Sequence, residues 1–578
     1  MRIVQHRAIP EDDLLQRQWN DLVQQMERPE VFYTYEWALA VYRAYGGQMA
    51  PLLLLAYEED SLVGVAAVAT DSSQEIVFLA STTADYCDFI CHPLRRKEFL
   101  ESVFAELKKL DAGVLRLANL PADSATAHAL RSAARDHGYS VFARPAYSCA
   151  KVMIDSPENR ATVRESVQRR IRRYSKTLGK NIPVTLSHST SHDDIASELP
   201  SFAKAHVARF LDTGRISNLA HPERRIFLAE LTQSLASSGW VTLSQLLVSG
   251  KVVAWNYGFQ FSGSWFWYQP TFVSSFQQYS PGLWLLSKIV EESCSDPQLD
   301  RIDLGLGAEG YKERLATASQ PTLHVTVTAS AFRGLKERVR YHSAAVVRSI
   351  PRAEAWVRGG LSRAALLRAR VANEGPLTYL ARVLRKTLHD RSEFILLEWS
   401  SEKVLPIRQS APHSSAIQSI DLDLLADAAI HYVDDPETLA YLLRAAEKLR
   451  AKVEGFALVN NEGMPLHFCW IEDFQKFPMK PPSANCSRIA DCWTPVSIRG
   501  RGHYRQAIAA VAAQLRAAQR SPWIYIPSTN RAALRSAEAG GFVRVLSWLQ
   551  ERILFSTKVT ESQFSTVTEP VIDVSSAA

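Results

Sequence analysis

A chain of 578 residues is too long for one hydrophobic core, and about three domains are expected. Its 47% apolar and 22% charged residues are those of an ordinary globular protein, which excludes a disordered or fibrous chain. The net charge of +6 is unevenly placed: residues 333–386 carry 13 Lys and Arg against three Glu, a local +10 that leaves the rest at −4.

The opening "MRIVQHRAIPEDDLLQRQWNDL" lacks the apolar run of a signal peptide, and no stretch approaches 18 apolar residues. A cytoplasmic protein without a membrane span is expected. The seven cysteines have no metal-site spacing beyond Cys87-x3-Cys91, which lacks a second ligand pair, so buried thiols and no metal are expected.

In residues 1–150, "EDDLLQRQWNDLVQQM" has helical spacing and "PLLLLAYEEDSLVGVAAVAT" reads as strand, turn, strand. "KEFLESVFAELKKL" is an amphipathic helix, "AGVLRLANL" a buried strand, and "SATAHALRSAARDHGY" a helix stopped by Gly. The pattern restarts over 151–332. "RESVQRRIRRYSKTLGK" is a basic helix, and "WVTLSQLLVSGKVVAWNYGFQFSGSWFWYQPTF" is three antiparallel strands with Ser-Gly at both turns. "YSPGLWLLSKIVEES" is a helix, "DRIDLGLG" a strand ending in glycines, and "TLHVTVTAS" a last strand. Residues 333–388 read as a basic helical linker. Residues 389–558 form a third block: "EFILLEW", the hairpin "VEGFALVNNEGMPLHFCWIEDF", "RIADCWTPVSI", a helix, "WIYIPSTN", the helix "RAALRSAEAGGF" and "VRVLSWLQERILF". Residues 559–578, rich in Ser, Thr and Val, are expected to be disordered.

In the third block, Arg499, Gly500, Arg501 and Gly502 lead from a strand into a helix. Bare N–H groups at a helix start attract an anion, glycines let the backbone come close, and arginines add charged hydrogen bonds. With Asn530 after the next strand and Gly541-Phe542 at the following helix end, residues 390 to 555 resemble the GNAT acetyltransferase superfamily. The resemblance implies that Arg499, Gly500, Arg501, Gly502 and Asn530 bind the pyrophosphate side of acetyl-CoA. Two positions depart from it. Tyr504 replaces a small residue, and Ala537 stands where many members carry a tyrosine that protonates the departing thiolate. The block is therefore read as binding CoA without catalysis, as using another acid, or as binding nothing.

In the second block, Tyr279, Ser280, Pro281 and Gly282 open a helix, with Pro suited to its first turn. Asp303 ends a buried strand before Gly305 and Gly307, and Tyr311 and Lys312 follow. A carboxylate, a phenol and an ammonium close together can move a proton or anchor a phosphate. This ordered set resembles the CelD/BcsL-like acetyltransferases, together with "FYTYEWALAVYRAYGG", "ADYCDF", "RRIRRYSK" and "AHVARF". The resemblance covers residues 1 to 330 and implies two GNAT-like halves, as in FemABX peptidyltransferases, and a link to exopolysaccharide or cellulose biosynthesis. Direct transfer of the GNAT kind, read onto this motif order, puts the acyl-donor phosphates at Tyr279 to Gly282, with Asp303, Tyr311 and Lys312 as the catalytic residues that assist or orient the acceptor. His206 is read as a packing histidine.

The expected fold is α+β: tandem GNAT-like units with mixed central sheets flanked by helices, three units joined by the basic segment. The expected reaction is acyl transfer from acetyl-CoA or another acyl-CoA to an amine or hydroxyl of a saccharide or small molecule. The rivals are aminoacyl transfer from charged tRNA and a non-catalytic CoA-binding scaffold. For residues 333–386 a solvated connector ranks first, a peripheral contact with an anionic membrane second, and nucleic acid last, since base-stacking aromatics are missing.

Overall fold

The computed structural model describes residues 1–563 except 180, 308–309, 331, 333–334, 336–338, 340–388, 401–414, 473–484 and 554–555. The basic linker lies, apart from Leu335 and Val339, outside the described residues, and so does the tail beyond Gln563. The chain divides into two compact units, Met1–Arg209 with Ser217–Ile350, and Phe210–Ile216 with Pro351–Ala578.

Unit 1 is built on one mixed sheet. Its strands are β1 (Arg2–His6), β2 (Ala50–Glu58), β3 (Ser61–Thr70), β4 (Ile76–Phe78), β5 (Ile90–Cys91), β6 (Val114–Pro121), β7 (Ser140–Met153), β8 (Val184–Ser189), β9 (Val241–Val248), β10 (Lys251–Phe261), β11 (Ser264–Phe272), β12 (Arg301–Asp303) and β13 (Ala318–Thr328). Their spatial order is β1-β2-β3-β4-β6-β13-β7-β12-β11-β10-β9-β8, with β5 on β3. The pairs β4–β6 and β11–β12 are parallel and the others antiparallel. The last strand, β13, inserts between β6 and β7, so the second half of the sequence completes the sheet of the first.

Helices flank this sheet: α1 (Asp13–Gln24), α2 (Tyr35–Tyr45), α3 (Arg96–Lys109), α4 (Ala125–Asp136), α5 (Pro157–Leu178), α6 (His192–Asp212), α7 (Pro222–Leu235) and α8 (Pro281–Ser293). Helix α1 starts where the Asp12 carboxylate caps Leu15 N–H at 2.7 Å, and it buries Leu15, Trp19, Leu22 and Val23 on one face. The basic helix α5 has a structural use. Arg160 and Arg164 donate to carbonyls at the C-terminal end of α8 and just beyond, among them Cys294 at 2.8 Å and Asp296 at 2.7 Å, where the helix dipole is negative. The β9–β10–β11 meander turns at Ser249-Gly250 and Ser262-Gly263, all four residues in the left-handed region that two-residue hairpins require.

Unit 2 is an eight-stranded sheet of β14 (His389–Trp399), β15 (Ala416–Ser419), β16 (Glu454–Val459), β17 (Pro465–Glu472), β18 (Cys486–Trp493), β19 (Ser521–Pro527), β20 (Phe542–Ile553) and β21 (Ser556–Gln563). The order is β15-β16-β17-β18-β19-β14-β20-β21, with β18–β19 the parallel pair. The hairpin β16–β17 turns where Asn460 Oδ1 accepts from Glu462 and Met464 N–H. Residues 559–563, expected in the disordered tail, belong to β21 and pair with β20. No described helix is long and apolar enough to cross a membrane.

Candidate functional site

In unit 1, β11 and β12 pair over three residues only, from Ser264↔Arg301 to Phe266↔Asp303, while β11 runs on to Phe272. The strands part beyond Phe266, and α8 starts at the far end of the gap. Its N-cap, Ser280, is left-handed at φ 54° and makes no side-chain cap. A Cβ on Gly282 would lie 3.3 Å from the Phe272 ring. Asp303 thus sits at the closed end of the gap and Tyr279–Gly282 at the open end, six residues or ~20 Å of strand apart.

The closed end is a buried polar network. Asp303 faces Lys151 across β12–β7, and their side chains form an ion pair at 3.1 Å. Tyr86 Oη donates to Asp303 Oδ2 and Gly305 N–H to Oδ1, each at 2.8 Å. The Lys151 ammonium lies 5.1 Å from the Tyr86 ring centre. Asp303 is 1% exposed, and each of its oxygens accepts a hydrogen bond. Glu30 stands beside it with Oε2 buried and without a hydrogen bond. Burial, opposed by Lys151 and aided by Asp303, pushes its carboxyl up to about 8.

Asp85 connects this network to an open pocket of about 380 Å³. A side chain at Gly305 would meet Asp85 Oδ2 at 2.5 Å, so only glycine lets the segment after β12 come this close. Burial, with the charge of Asp303, pushes Asp85 up to about 7; Lys312, Arg224 and the Leu306 N–H pull the other way. The pocket wall also includes Asn119, Arg224, Tyr268, Gln269 and His324.

The residues singled out in the sequence are brought together in part. Asp303 and Lys312 converge electrostatically on Asp85. Lys312 is 7% exposed and donates to Leu306 O at 2.8 Å. Tyr311 accepts from Trp267 Nε1 at 3.3 Å, a bridge one residue past the last β11–β12 pair. His206 packs inside, with Nδ1 2.7 Å from Ser217 Oγ and Nε2 3.1 Å from the Gln269 amide. Sequence reasoning missed Lys151, Glu30 and Arg224 altogether and met Asp85 only within "ADYCDF". One signal was available: Lys151 is the lone charge in the buried run from Cys149 to Val152.

Unit 2 contains a second parting. β18 and β19 pair from Cys486↔Ser521 to Arg488↔Trp523 and then separate. A bulge opposite β17, with Asp491 at φ 44°, frees β18 backbone from its ladder. The space between holds a pocket of about 560 Å³ lined by Arg499, Gly500, Gly502 and Asn530 among others; Arg501 is not in the lining. Gly500 and Gly502 are left-handed, at φ 80° and 84°, and Gly502 leads into the 15-residue helix His503–Ala517 without a side-chain cap. Arg499 donates to Thr494 O at 3.0 Å and lies 4.8 Å over the Trp493 ring. Asn530 Oδ1 caps the helix Arg531–Ala539 through Ala533 N–H. Tyr504 packs against the core beneath and meets the His467 ring edge-on at 5.5 Å. Ala537 is fully buried. His467 also lines the pocket. Its Nδ1 is 2.7 Å from Thr494 Oγ1 and its buried Nε2 has no partner, while burial and His503 push it down to about 3.

The family model for an acetyltransferase (GNAT) domain matches residues 164–313, which run from within α5 past Asp303 and Lys312 to Glu313. No curated protein matches the chain. Among solved structures, one of FemX has 10% identity over 56% of this chain and 97% of its own, with a TM-score of 0.42. A tandem GNAT protein from the clavulanic acid biosynthesis pathway has 13% identity over 57% and 98%, with a TM-score of 0.33. L-PGS from Bacillus licheniformis has 12% identity over 54% and 92%, with a TM-score of 0.34. At this level of likeness none of them assigns a substrate. A GNAT acetyltransferase domain is present in unit 1, and it supports an acyltransferase of that type.

Proposed function

We propose that the chain transfers an acyl group from acyl-CoA to an amine or hydroxyl of a small acceptor, with the acceptor in the unit 1 pocket and Asp85 taking its proton. The observation that carries this reading is Asp85 itself. It is a half-buried carboxyl at the pocket wall, pushed up to about 7 by desolvation and then by the charge of Asp303. The acceptor N–H or O–H gives its proton to Asp85 as its lone pair attacks the thioester carbonyl; the C–S bond then breaks and the CoA sulfur leaves as a thiolate that is protonated. Asp303 and Lys312 are positioning residues here, acting through the charge they place beside Asp85. The uncapped start of α8 at Tyr279–Gly282 receives the donor phosphates. The ~20 Å of strand from there to Asp303 suits an extended pantetheine arm.

The test is acetyl transfer from acetyl-CoA by the full chain, across a panel of amino sugars, sugars, amino acids and hydroxy acids. An Asp85→Asn chain is expected to turn over at least about 100-fold more slowly with acetyl-CoA affinity unchanged. Equal turnover in the two chains contradicts the reading.

A second reading concerns unit 2, and the bare helix start beside a wide pocket favours it. It is proposed as a further CoA-type binding site without turnover. Arg499, Gly500, Gly502 and Asn530 take the phosphate side, and Arg501 adds charge from outside the lining. Buried Ala537 offers no acid for a leaving thiolate. A role in exopolysaccharide or cellulose biosynthesis, with a saccharide acceptor, fits the sequence resemblance, and aminoacyl transfer is its rival. The basic segment 333–386 suits contact with an anionic membrane. Sedimentation with phosphatidylglycerol vesicles and not with neutral ones would favour that contact over the solvated connector ranked ahead of it, and no lipid-dependent pelleting removes it.

A further inference from the structure

Arg224 lies in the first turn of α7 and is 5% exposed. Its guanidinium donates to Tyr268 Oη at 2.6 Å and Gln269 Oε1 at 2.9 Å, with the Tyr45 hydroxyl close by. The rings of Phe227 and Tyr268 lie 5.0 and 5.4 Å away. All of these partners are neutral. Among the described residues no carboxylate comes within ion-pair distance of Arg224, and its buried Nε has no hydrogen bond. Buried cations are ordinarily paired, because leaving water costs several kcal/mol per ion. The partners are themselves anchored. Tyr268 Oη donates to Thr83 O, and Gln269 reaches His206 and Asn218. The charge is therefore held in a rigid neutral cradle.

This guanidinium is part of the wall of the 380 Å³ pocket that Asp85 also lines. The pocket's other titratable groups are uncharged near neutrality. His324 accepts from Arg144 at 2.8 Å and is pushed down by burial and by Arg144; Tyr147 and Tyr268 are phenols. The wall thus offers one unpaired cation and one carboxyl on an otherwise neutral polar surface. The complement is a molecule with one anionic group and, at its other side, an N–H or O–H that Asp85 can accept. The volume lies at the small-molecule end of the range for ligand sites.

We infer that the acceptor carries a carboxylate, which Arg224 receives, so that the substrate class is an amino acid, a hydroxy acid or a sugar acid. The inference rests on the reading of this pocket as the acceptor site. It adds a specificity determinant: a neutral acceptor leaves Arg224 without a hydrogen-bonded counter-ion, whereas an acid brings its charge to Nη1, since Nη2 is taken by Tyr268 and Gln269 and Nε is buried.

Calorimetry on the full chain with three matched pairs tests it: L-alanine against L-alaninamide, L-lactate against L-lactamide, and D-glucuronate against D-glucose. Inorganic phosphate serves as a fourth probe. At least one acid is expected to bind ten-fold or more tightly than its neutral counterpart. Arg224→Met is expected to reduce that ratio to below about three, and Arg224→Lys to keep part of it because the point charge remains without the planar fork. If Arg224→Met does not fold, the Arg224→Lys chain decides, by a several-fold lower ratio at an unchanged unfolding midpoint. Equal binding within all three pairs, no binding of any acid at millimolar concentration, a ratio unchanged in the Arg224 variants, or phosphate binding more tightly than every acid each overturns the inference. Asp85→Asn separates the two claims, since it is expected to abolish turnover and keep the acid preference. A preference that survives alongside normal turnover in Asp85→Asn removes the base and leaves the carboxylate site.

Discussion

Two parallel strand pairs part in this molecule, β11 from β12 and β18 from β19, and the same backbone event is filled in opposite ways. In unit 1 the closed end is packed with ionisable groups, Asp303, Lys151, Tyr86, Glu30 and Asp85, with Trp267 bridging to Tyr311. In unit 2 the gap is an open pocket with a glycine turn and an uncapped helix start, and its buried histidine is pushed down to about 3 by burial and His503. The lesson is that parting strands supply a place for a ligand, whereas chemistry needs a group whose proton affinity the surroundings have moved. Unit 1 has moved one to neutrality and unit 2 has not.

The largest expected effect breaks this contrast at its centre. Asp85→Asn is expected to lower turnover by about 10²–10⁴-fold, the range for losing a general base, while Asn530→Ala in unit 2 is expected to leave turnover within about three-fold. Comparable losses from both would place chemistry in the wrong unit. Next comes the network's stability. Lys151→Met leaves Asp303 charged, buried and without its cation, and urea unfolding is expected to show a loss of about 3–5 kcal/mol; a loss below about 1 kcal/mol would mean the pair is not what holds the closed end.

Glu30→Gln is a comparable but pH-dependent probe. The folded carboxyl is pushed up to about 8, above the ordinary 4.5. Between those values the native state keeps a proton that the unfolded chain gives up, so stability falls as pH rises through that window. The variant is therefore expected to be more stable than wild type at pH 9, by up to about 4–5 kcal/mol, and nearly equal to it at pH 4. Smallest is Arg499→Ala, expected to weaken acetyl-CoA binding at unit 2 by about ten-fold, or ~1.4 kcal/mol, with no change in turnover.

What the sequence discloses follows the range of the interactions. The β9–β10–β11 meander was legible because strand alternation and Ser-Gly turns are local. The loop from Arg499 to Gly502 was legible because two glycines before a clean helical period have few other uses. The insertions of β13 between β6 and β7, and of β14 between β19 and β20, left no local trace, since pairing partners are set by the whole sheet. The network around Asp303 was hidden for the same reason: Tyr86 reaches it across 217 residues of chain and Lys151 across the β7–β12 pairing. Arg224 reads in sequence as an ordinary first-turn arginine; only the fold shows that it is buried with neutral hydrogen-bond partners.

The central claim is that a carboxyl tuned by Asp303 and Lys312 runs the chemistry, and the pH dependence of kcat/KM addresses it most directly, measured with acetyl-CoA and the acceptor that gives the highest turnover. The account predicts a rate that is high above pH 7, falls ten-fold per unit below it as Asp85 takes up a proton, and loses this limb in Asp85→Asn. The same limb in wild type and Asp85→Asn would contradict it.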